Sequence, residues 1–284
     1  MQKKYLSAPL PFQGQKRMFA NEFKKILKLY PDDAVYVDLF GGSGLLSHIT
    51  KREKPDTKVV YNDFDNYRRR LANIPQTNAL LAELRWLAEG CERHKLIPKD
   101  IRKSILDRLE LEEAKGFVDY ITISSSLLFS MKYCTSLDKL RKESFYNNIR
   151  TTDYPSCDDY LQGIETTSCD YKELFEKYKD VPGVVFLVDP PYLSTEVGTY
   201  QMRWGLSDYL DVLTVLADST FIYFTSNKSS IIELCDWMGR HPEMGNPFRD
   251  ARKVEFNAHV NYSSSYTDVM LYKPASDGQP KRVA

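Results

Sequence analysis

The chain has 284 residues, 42% of them hydrophobic, and its 39 Lys plus Arg balance 39 Asp plus Glu. This is enough for one large α/β domain, or for such a domain carrying an insertion. The zero net charge argues against polyanion binding by the whole surface. No apolar run approaches the about 18 residues of a membrane span, so a cytoplasmic location is expected.

Residues 16–30 place Phe19, Phe23, Ile26, Leu27 and Tyr30 on one helical face, and Pro31 ends the pattern. Residues 34–40 are a short apolar run rich in β-formers, read as a buried strand. Gly41-Gly42-Ser43-Gly44 is a tight loop, residues 45–50 open a helix, and residues 58–62 form a second strand ending at Asp63. Strand, glycine loop, helix, strand is a βαβ unit and predicts a parallel sheet. The character changes over residues 67–130, where helical patterns dominate, and residues 131–165 are polar and irregular. Alternation resumes near residue 170. A helix is expected over 171–179, a strand over 184–188, a helix over 207–218 with Ser207 as N-cap, a strand over 221–225 and a helix over 229–238. Residues 254–260 and 268–272 read as a closing antiparallel pair. The organisation expected is a sheet domain over 1–66 and 165–284 with a mainly helical insertion over 67–164.

Four segments carry chemistry. Asp189-Pro190-Pro191-Tyr192 follows the apolar strand 184–188. Neither proline has an N–H for a β ladder, so pairing stops there and acid, carbonyls and ring are held rigidly together. Such an end suits a flat molecule carrying an amino group, although a plain strand-terminating turn has the same residues. Asp38-Leu-Phe-Gly-Gly-Ser-Gly44 would let backbone N–H groups approach a ligand at a helix N-terminus. Its spacing is neither G-x-G-x-x-G nor G-x-x-x-x-G-K-[ST], and a tight βα turn is the simpler reading. Asp63 lies about 20 residues beyond, where an acid accepts hydrogen bonds from ribose hydroxyls. Asp65 competes for that role, and either residue also suits a helix N-cap. Pro11-Phe-Gln-Gly-Gln-Lys16 places a lysine at a helix start, where its ammonium can meet a carboxylate. The five cysteines form no Cys-x-x-Cys and the four histidines show no ligand spacing, so neither a disulfide framework nor a metal site is expected.

Taken together and in this order, the segments resemble those of the amino-group DNA methyltransferases, in particular the Dam-like adenine-N6 family of the alpha class. The order is Pro-Phe-x-Gly-x-Lys, then Asp-x-Phe-x-Gly-x-Gly, an inserted region, and Asp-Pro-Pro-Tyr. Thr225-Ser-Asn227 and the segment 261–273 resemble later parts of the same family, so the likeness covers about 1–66 and 165–273. The resemblance implies an S-adenosylmethionine-dependent, Rossmann-like sheet domain with an inserted target-recognition domain. It implies that Phe12 and Lys16 contact S-adenosylmethionine, and that Phe40, Gly41, Gly42 and Gly44 wrap its methionine portion on a loop oriented by Asp38. Asp63 would hold the ribose, Phe64 would lie against the adenine, and Asp170 would meet the adenine amino group. Asp189, Pro190, Pro191 and Tyr192 would hold the target base, with Asp189 also beside the cofactor. The partner implied is double-stranded DNA; a monomer is expected, and the oligomeric state itself is not legible in the sequence. Positive clusters nominate Arg68, Arg69 and the adjoining Arg70, then Lys132, Lys139, Arg141, Asn148 and Arg150, for phosphate and base contacts. Cytosine-N4 methylation uses the same chemistry, and a non-catalytic cofactor- and DNA-binding relative, or action on RNA or a protein amide, stays open. The recognition sequence and any partner restriction enzyme are not legible.

Overall fold

The computed structural model describes residues 5–129, 132–191, 205–227, 229–241, 243, 245–261 and 264–274. In chain order the elements are a 3-10 turn at Arg17–Phe19, α1 (Ala20–Leu27), β1 (Tyr36–Asp38), α2 (Leu45–Glu53), β2 (Val59–Asn62), α3 (Tyr67–Ala72), α4 (Ile74–Leu87), α5 (Lys99–Glu113), α6 (Tyr120–Leu127), α7 (Leu137–Leu140), β3 (Glu165–Thr167), α8 (Tyr171–Tyr178), β4 (Val185–Val188), α9 (Leu206–Leu216), β5 (Phe221–Ser226), α10 (Ile231–Arg240), β6 (Arg252–Asn261) and β7 (Ser264–Lys273). They form two compact units. The first comprises Met1–Ser7, Lys16–Asp65 and Tyr160–Ala284, and the second Ala8–Gln15 and Asn66–Asp159.

The first unit is built on one seven-stranded sheet in the order β3-β2-β1-β4-β5-β7-β6. Strands β1 to β5 run parallel, whereas β7 is antiparallel to both β5 and β6. Residues of β1, β2, β4 and β5 are buried throughout because both sheet faces are covered. The strand period of two divides them cleanly. Val37, Val60, Phe186, Val188 and Tyr223 join one core with residues of α8 and α9. Tyr36, Val59, Val185, Leu187, Ile222 and Phe224 join the other with residues of α1 and α2. This is the α/β, Rossmann-like architecture of S-adenosylmethionine-dependent methyltransferases.

Two local readings from the sequence change. Strand β3 lies inside a stretch read as irregular or as a boundary, because Glu-Thr-Thr carries no apolar signal. As an edge strand beside β2, its outward residues stay partly exposed and need none. The helix expected to begin at Ser207 begins at Leu206 with Gly205 as N-cap. Asp208 outcompetes the serine for the start, its carboxylate accepting the Gly205 N–H at 2.8 Å.

The second unit is mainly helical, with Leu81, Leu84, Ile105, Leu109, Ile123 and Phe145 buried. Its charged interior corrects one expectation. Arg70, nominated with its neighbours for DNA contact, is buried against Asp119, with Nε 2.9 Å from Oδ1 and side chains only 6% and 1% exposed. Its Nη2 donates to the Pro11 carbonyl at 2.7 Å, while Tyr67 packs edge-on against Phe12. Arg70 therefore ties residues 8–15 into this unit rather than meeting solvent. The Arg70→Leu variant leaves Asp119 buried and unpaired, and an equilibrium urea titration should show a loss of about 3–5 kcal/mol. An unchanged midpoint would show the pair to be dispensable. Among the described residues no helix is long and apolar enough to cross a membrane.

Candidate active site

Strand order reverses direction between β1 and β4, and the ends of β1, β2 and β4 point the same way. Open α/β sheets bind ligands outside such carboxyl ends, at this switch point. β1 delivers Asp38 and the glycine loop, β2 delivers Asp63, and β4 delivers Asp189. In the sheet Asp38 stands level with Tyr61 on one side and Leu187 on the other. The fold thus assembles three sequence-nominated segments, with Asp38 and Asp189 lying 151 residues apart.

The glycine loop is held by side chains the sequence did not single out. Gly44 N donates to Gly41 O at 2.7 Å, closing the turn. The Tyr61 hydroxyl lies 2.7 Å from Gly42 O and 3.0 Å from Asp63 Oδ1, sharing its one proton between them. The Tyr160 hydroxyl donates to Ser43 O at 3.0 Å. Asn62 Nδ2 donates to Leu39 O and Cys169 O, both at 3.0 Å, and its Oδ1 accepts Cys169 N–H at 3.1 Å. Apart from Asp63 Oδ1, these partners are backbone atoms from distant segments, so no local pattern could mark them.

The glycines serve different needs. Gly42 and Gly44 have φ of 49° and 70°, in the left-handed region. A Cβ on Gly41 would sit 2.2 Å from Tyr61 Cδ2 and 2.7 Å from the Asn62 carbonyl oxygen, so the approach of loop to β2 requires glycine. Beneath the loop Asp38 is 1% exposed. Its Oδ2 accepts from Ser47 Oγ at 2.7 Å, while its buried Oδ1 closes no hydrogen bond. Burial pushes its carboxyl up to about 7, against the Ser47 hydrogen bond and with repulsion from Asp189. A bare-backbone loop over a buried acceptor fits a polar, positively charged ligand such as the methionine portion of S-adenosylmethionine.

Asp63 is buried and is not an N-cap, since α3 starts at Tyr67 with Asn66 before it. Phe64 and Asp65 are half-buried beside it. Asp170 does cap a helix, accepting the Lys172 N–H of α8 at 2.8 Å. Phe40 packs at 4.8 Å against the Tyr171 ring, next to Asp170. Phe12 groups with the second unit, whereas Lys16 belongs to the first.

At the end of β4, Lys16 Nζ lies 2.6 Å from Asp189 Oδ2, with side chains 7% and 18% exposed. Burial pushes the Asp189 carboxyl up to about 6, with Lys16 opposing and Asp268 adding repulsion. The Tyr209 hydroxyl of α9 donates to the Pro191 carbonyl and pins the main chain. Tyr192 lies outside the described residues. Asn227 and Thr267 exchange two hydrogen bonds of 2.9 Å, bringing the Thr225–Asn227 segment to the start of β7 near Asp268.

The nominated basic residues all lie in the second unit. Arg68 and Arg69 are exposed, and the Arg69 guanidinium sits 4.3 Å from the Phe117 ring centre. Lys132 pairs with Glu143 at 2.5 Å and Arg141 with Glu110 at 2.8 Å. Lys139 Nζ donates to Thr135 Oγ1 at 3.0 Å. Arg150 stacks 4.4 Å from the Tyr154 ring centre. Asn148 spends its amide internally, on Leu128 O at 2.9 Å and His94 Nδ1 at 2.8 Å. Exposed ion pairs such as Lys132–Glu143 and Arg141–Glu110 contribute little to stability.

Sheet order, glycine loop and strand-end acids together define a methyltransferase of the Rossmann-like class. Residues 12–211 match the family described as D12 class N6 adenine-specific DNA methyltransferase, and the chain belongs to that family. A Haemophilus influenzae protein named "Putative methyltransferase" is 35% identical over 95% of this chain and 93% of its own length. The Staphylococcus aureus protein named Poly(ribitol-phosphate) alpha-N-acetylglucosaminyltransferase is 23% identical over 86% of this chain, which spans 46% of that protein. Among solved structures, precorrin-6y C5,15-methyltransferase from Geobacter metallireducens shares 10% identity with a TM-score of 0.35, covering 95% of this chain and all of its own.

Proposed function

We propose that this protein transfers a methyl group from S-adenosylmethionine to N6 of a specific adenine flipped out of duplex DNA. The observation that carries the reading is the placement of Asp189-Pro190-Pro191 beside the glycine loop at the sheet's switch point. Membership of an adenine-specific DNA methyltransferase family supports the substrate. The enzyme is taken to act in the cytoplasm.

When bound, the cofactor supplies an electrophilic sulfonium methyl. Phe40, Gly41, Gly42 and Gly44 would hold its methionine portion above Asp38, and Asp63 its ribose. Phe64 and Asp170 would face its adenine. The amine lone pair of adenine is delocalised into the ring and is a poor nucleophile. Asp189 and the Pro190 carbonyl each accept one N–H and draw the nitrogen towards a pyramidal geometry. Tyr192, next in sequence, gives the base an aromatic face, worth about 1–3 kcal/mol in stacking. The Tyr209 bond occupies the Pro191 carbonyl, leaving that of Pro190 for the amine. Held in this way, the nitrogen lone pair would face the methyl that the bound cofactor supplies, and the methylated amine would then give up one proton to water. Alignment of two bound reactants accounts for up to about 7–11 kcal/mol of the barrier. Base extrusion is required because N6 is unreachable within the stack. The second unit would read the site, with Arg68, Arg69, Lys132, Lys139, Arg141 and Arg150 on phosphates and bases.

Methyl-labelled cofactor with competing duplex DNA, RNA and protein tests the reading. Nucleoside resolution of the product should give N6-methyladenine from DNA. N4-methylcytosine, or label in RNA or protein, would overturn the substrate. In the same assay, kcat/KM should fall as the pH drops below about 6, because protonation removes Asp189 as acceptor.

A further inference from the structure

We propose that Lys16 is a positioning residue for Asp189, holding the carboxylate ionised with Oδ2 engaged so that Oδ1 is aimed at the substrate amine. This role differs from the cofactor contact that the family resemblance implies for Lys16, and it rests on Asp189 being the amine acceptor. The ammonium lies 2.6 Å from Oδ2, and both side chains are largely withdrawn from water. A carboxylate has two oxygens, and a cation anchored on one fixes the rotation of the other.

The surroundings show why such an anchor is needed. Asp38 from β1, Tyr223 from β5 and Asp268 from β7 all interact with Asp189 electrostatically. Asp268 opposes negative charge on Asp189 directly, Asp38 is a neighbouring buried acid, and the Tyr223 phenol, held protonated by burial, carries no charge. Burial acts in the same direction, and Lys16 supplies the opposing attraction. Without it the carboxyl stays protonated into the neutral range and presents an O–H where an acceptor is needed.

The lysine comes from the Gly14-Gln15-Lys16 approach to α1, and its backbone is fixed by the Phe19 N–H bonding to Lys16 O at 3.0 Å. The following helix is seated by Phe19 and Phe23 in the core, so the ammonium starts from a rigid base.

The test is the pH–rate profile of Lys16→Met and Lys16→Arg, with cofactor affinity by calorimetry. Lys16→Met should lose about 10–100-fold in kcat at pH 7, the size of loss seen when an outer partner that orients a functional group is removed. Its acid limb should move up by one pH unit or more, activity should recover towards pH 9, and the cofactor Kd should stay within threefold. Lys16→Arg keeps the charge and should keep the wild-type limb. A limb that stays put in Lys16→Met, or a tenfold or greater rise in Kd with no change of limb, overturns the proposal. If Lys16→Met does not fold, Lys16→Arg decides alone: a limb displaced although charge is retained overturns it. Asp189→Asn run alongside separates the two ideas. Full activity there refutes Asp189 as acceptor, whereas loss there with unmoved lysine limbs refutes only the role of Lys16.

Discussion

Replacing Asp189 with Asn is expected to cut kcat for methyl transfer by at least about 10²–10³-fold, while DNA and cofactor binding remain measurable. The amide keeps the volume of the carboxylate and leaves the Pro190–Pro191 turn and the Tyr209 bond undisturbed. It loses the negative charge and turns one acceptor into a donor facing the amine. Asp189→Ala should abolish transfer as well, but it also strands the Lys16 ammonium, whose side chain is only 7% exposed. Alanine therefore combines a catalytic loss with a stability loss, and asparagine isolates the first. Calorimetry with cofactor and a filter-binding assay with duplex DNA distinguish the two. Activity within tenfold of wild type in the asparagine variant would remove Asp189 from the chemistry.

The second large effect is expected at Gly41. In Gly41→Ala the new Cβ would lie 2.2 Å from the Tyr61 ring and 2.7 Å from the Asn62 carbonyl oxygen. Neither neighbour can yield cheaply. The Tyr61 ring is fully buried, its hydroxyl engages Gly42 O and Asp63, and the Asn62 side chain bonds to Leu39 O. The loop must lift, and overpacking of this kind costs about 1–3 kcal/mol, with a backbone clash at the upper end. Because the same displacement takes the loop N–H groups and Asp63 out of register, cofactor affinity should fall at least 100-fold. Gly44→Ala makes a useful contrast: its penalty comes from φ of 70° and from a 3.0 Å approach to the movable Leu161 Cδ2, with no backbone clash, and it should cost about 1 kcal/mol. Urea midpoints and calorimetric Kd values measure both. Equal effects at the two glycines would show that the Tyr61 contact does not govern the loop.

Much of the chain was legible without coordinates. A run such as Val184–Val188 is apolar at every position, because strands covered on both faces need no polar side. The period of 3.6 over residues 16–30 marked the helix that seats Phe19 and Phe23. Glycines after a strand and prolines after a strand are local rules of backbone chemistry, and they placed Asp38, Gly41, Gly44 and Asp189 at strand ends. The chain order of those segments was enough to suggest the family to which residues 12–211 belong. What a linear pattern can carry is periodicity, backbone restriction and order; it does not carry an edge strand such as Glu165–Thr167 or the choice of Gly205 over Ser207 as N-cap.

Other features depended on atoms that only folding brings together. Arg70 sits in a run of three arginines, and no sequence rule separates the one buried on Asp119 from its exposed neighbours. The loop clamps from Tyr61, Tyr160 and Asn62 end on backbone carbonyls, which every residue possesses and no composition reveals. The assignment of residues 8–15 to the helical unit and of Lys16 to the sheet unit divides one short motif between two bodies. Above all, the 2.6 Å approach of Lys16 to Asp189 joins residues 173 positions apart. The sequence by itself determined which strand ends carry acids and where the backbone turns, since these follow from neighbours in the chain. The tertiary structure alone decided which cation meets which acid and how deeply the pair is withdrawn from water. Charge pairing and desolvation depend on distance in space, and distance in space is set by the packed sheet.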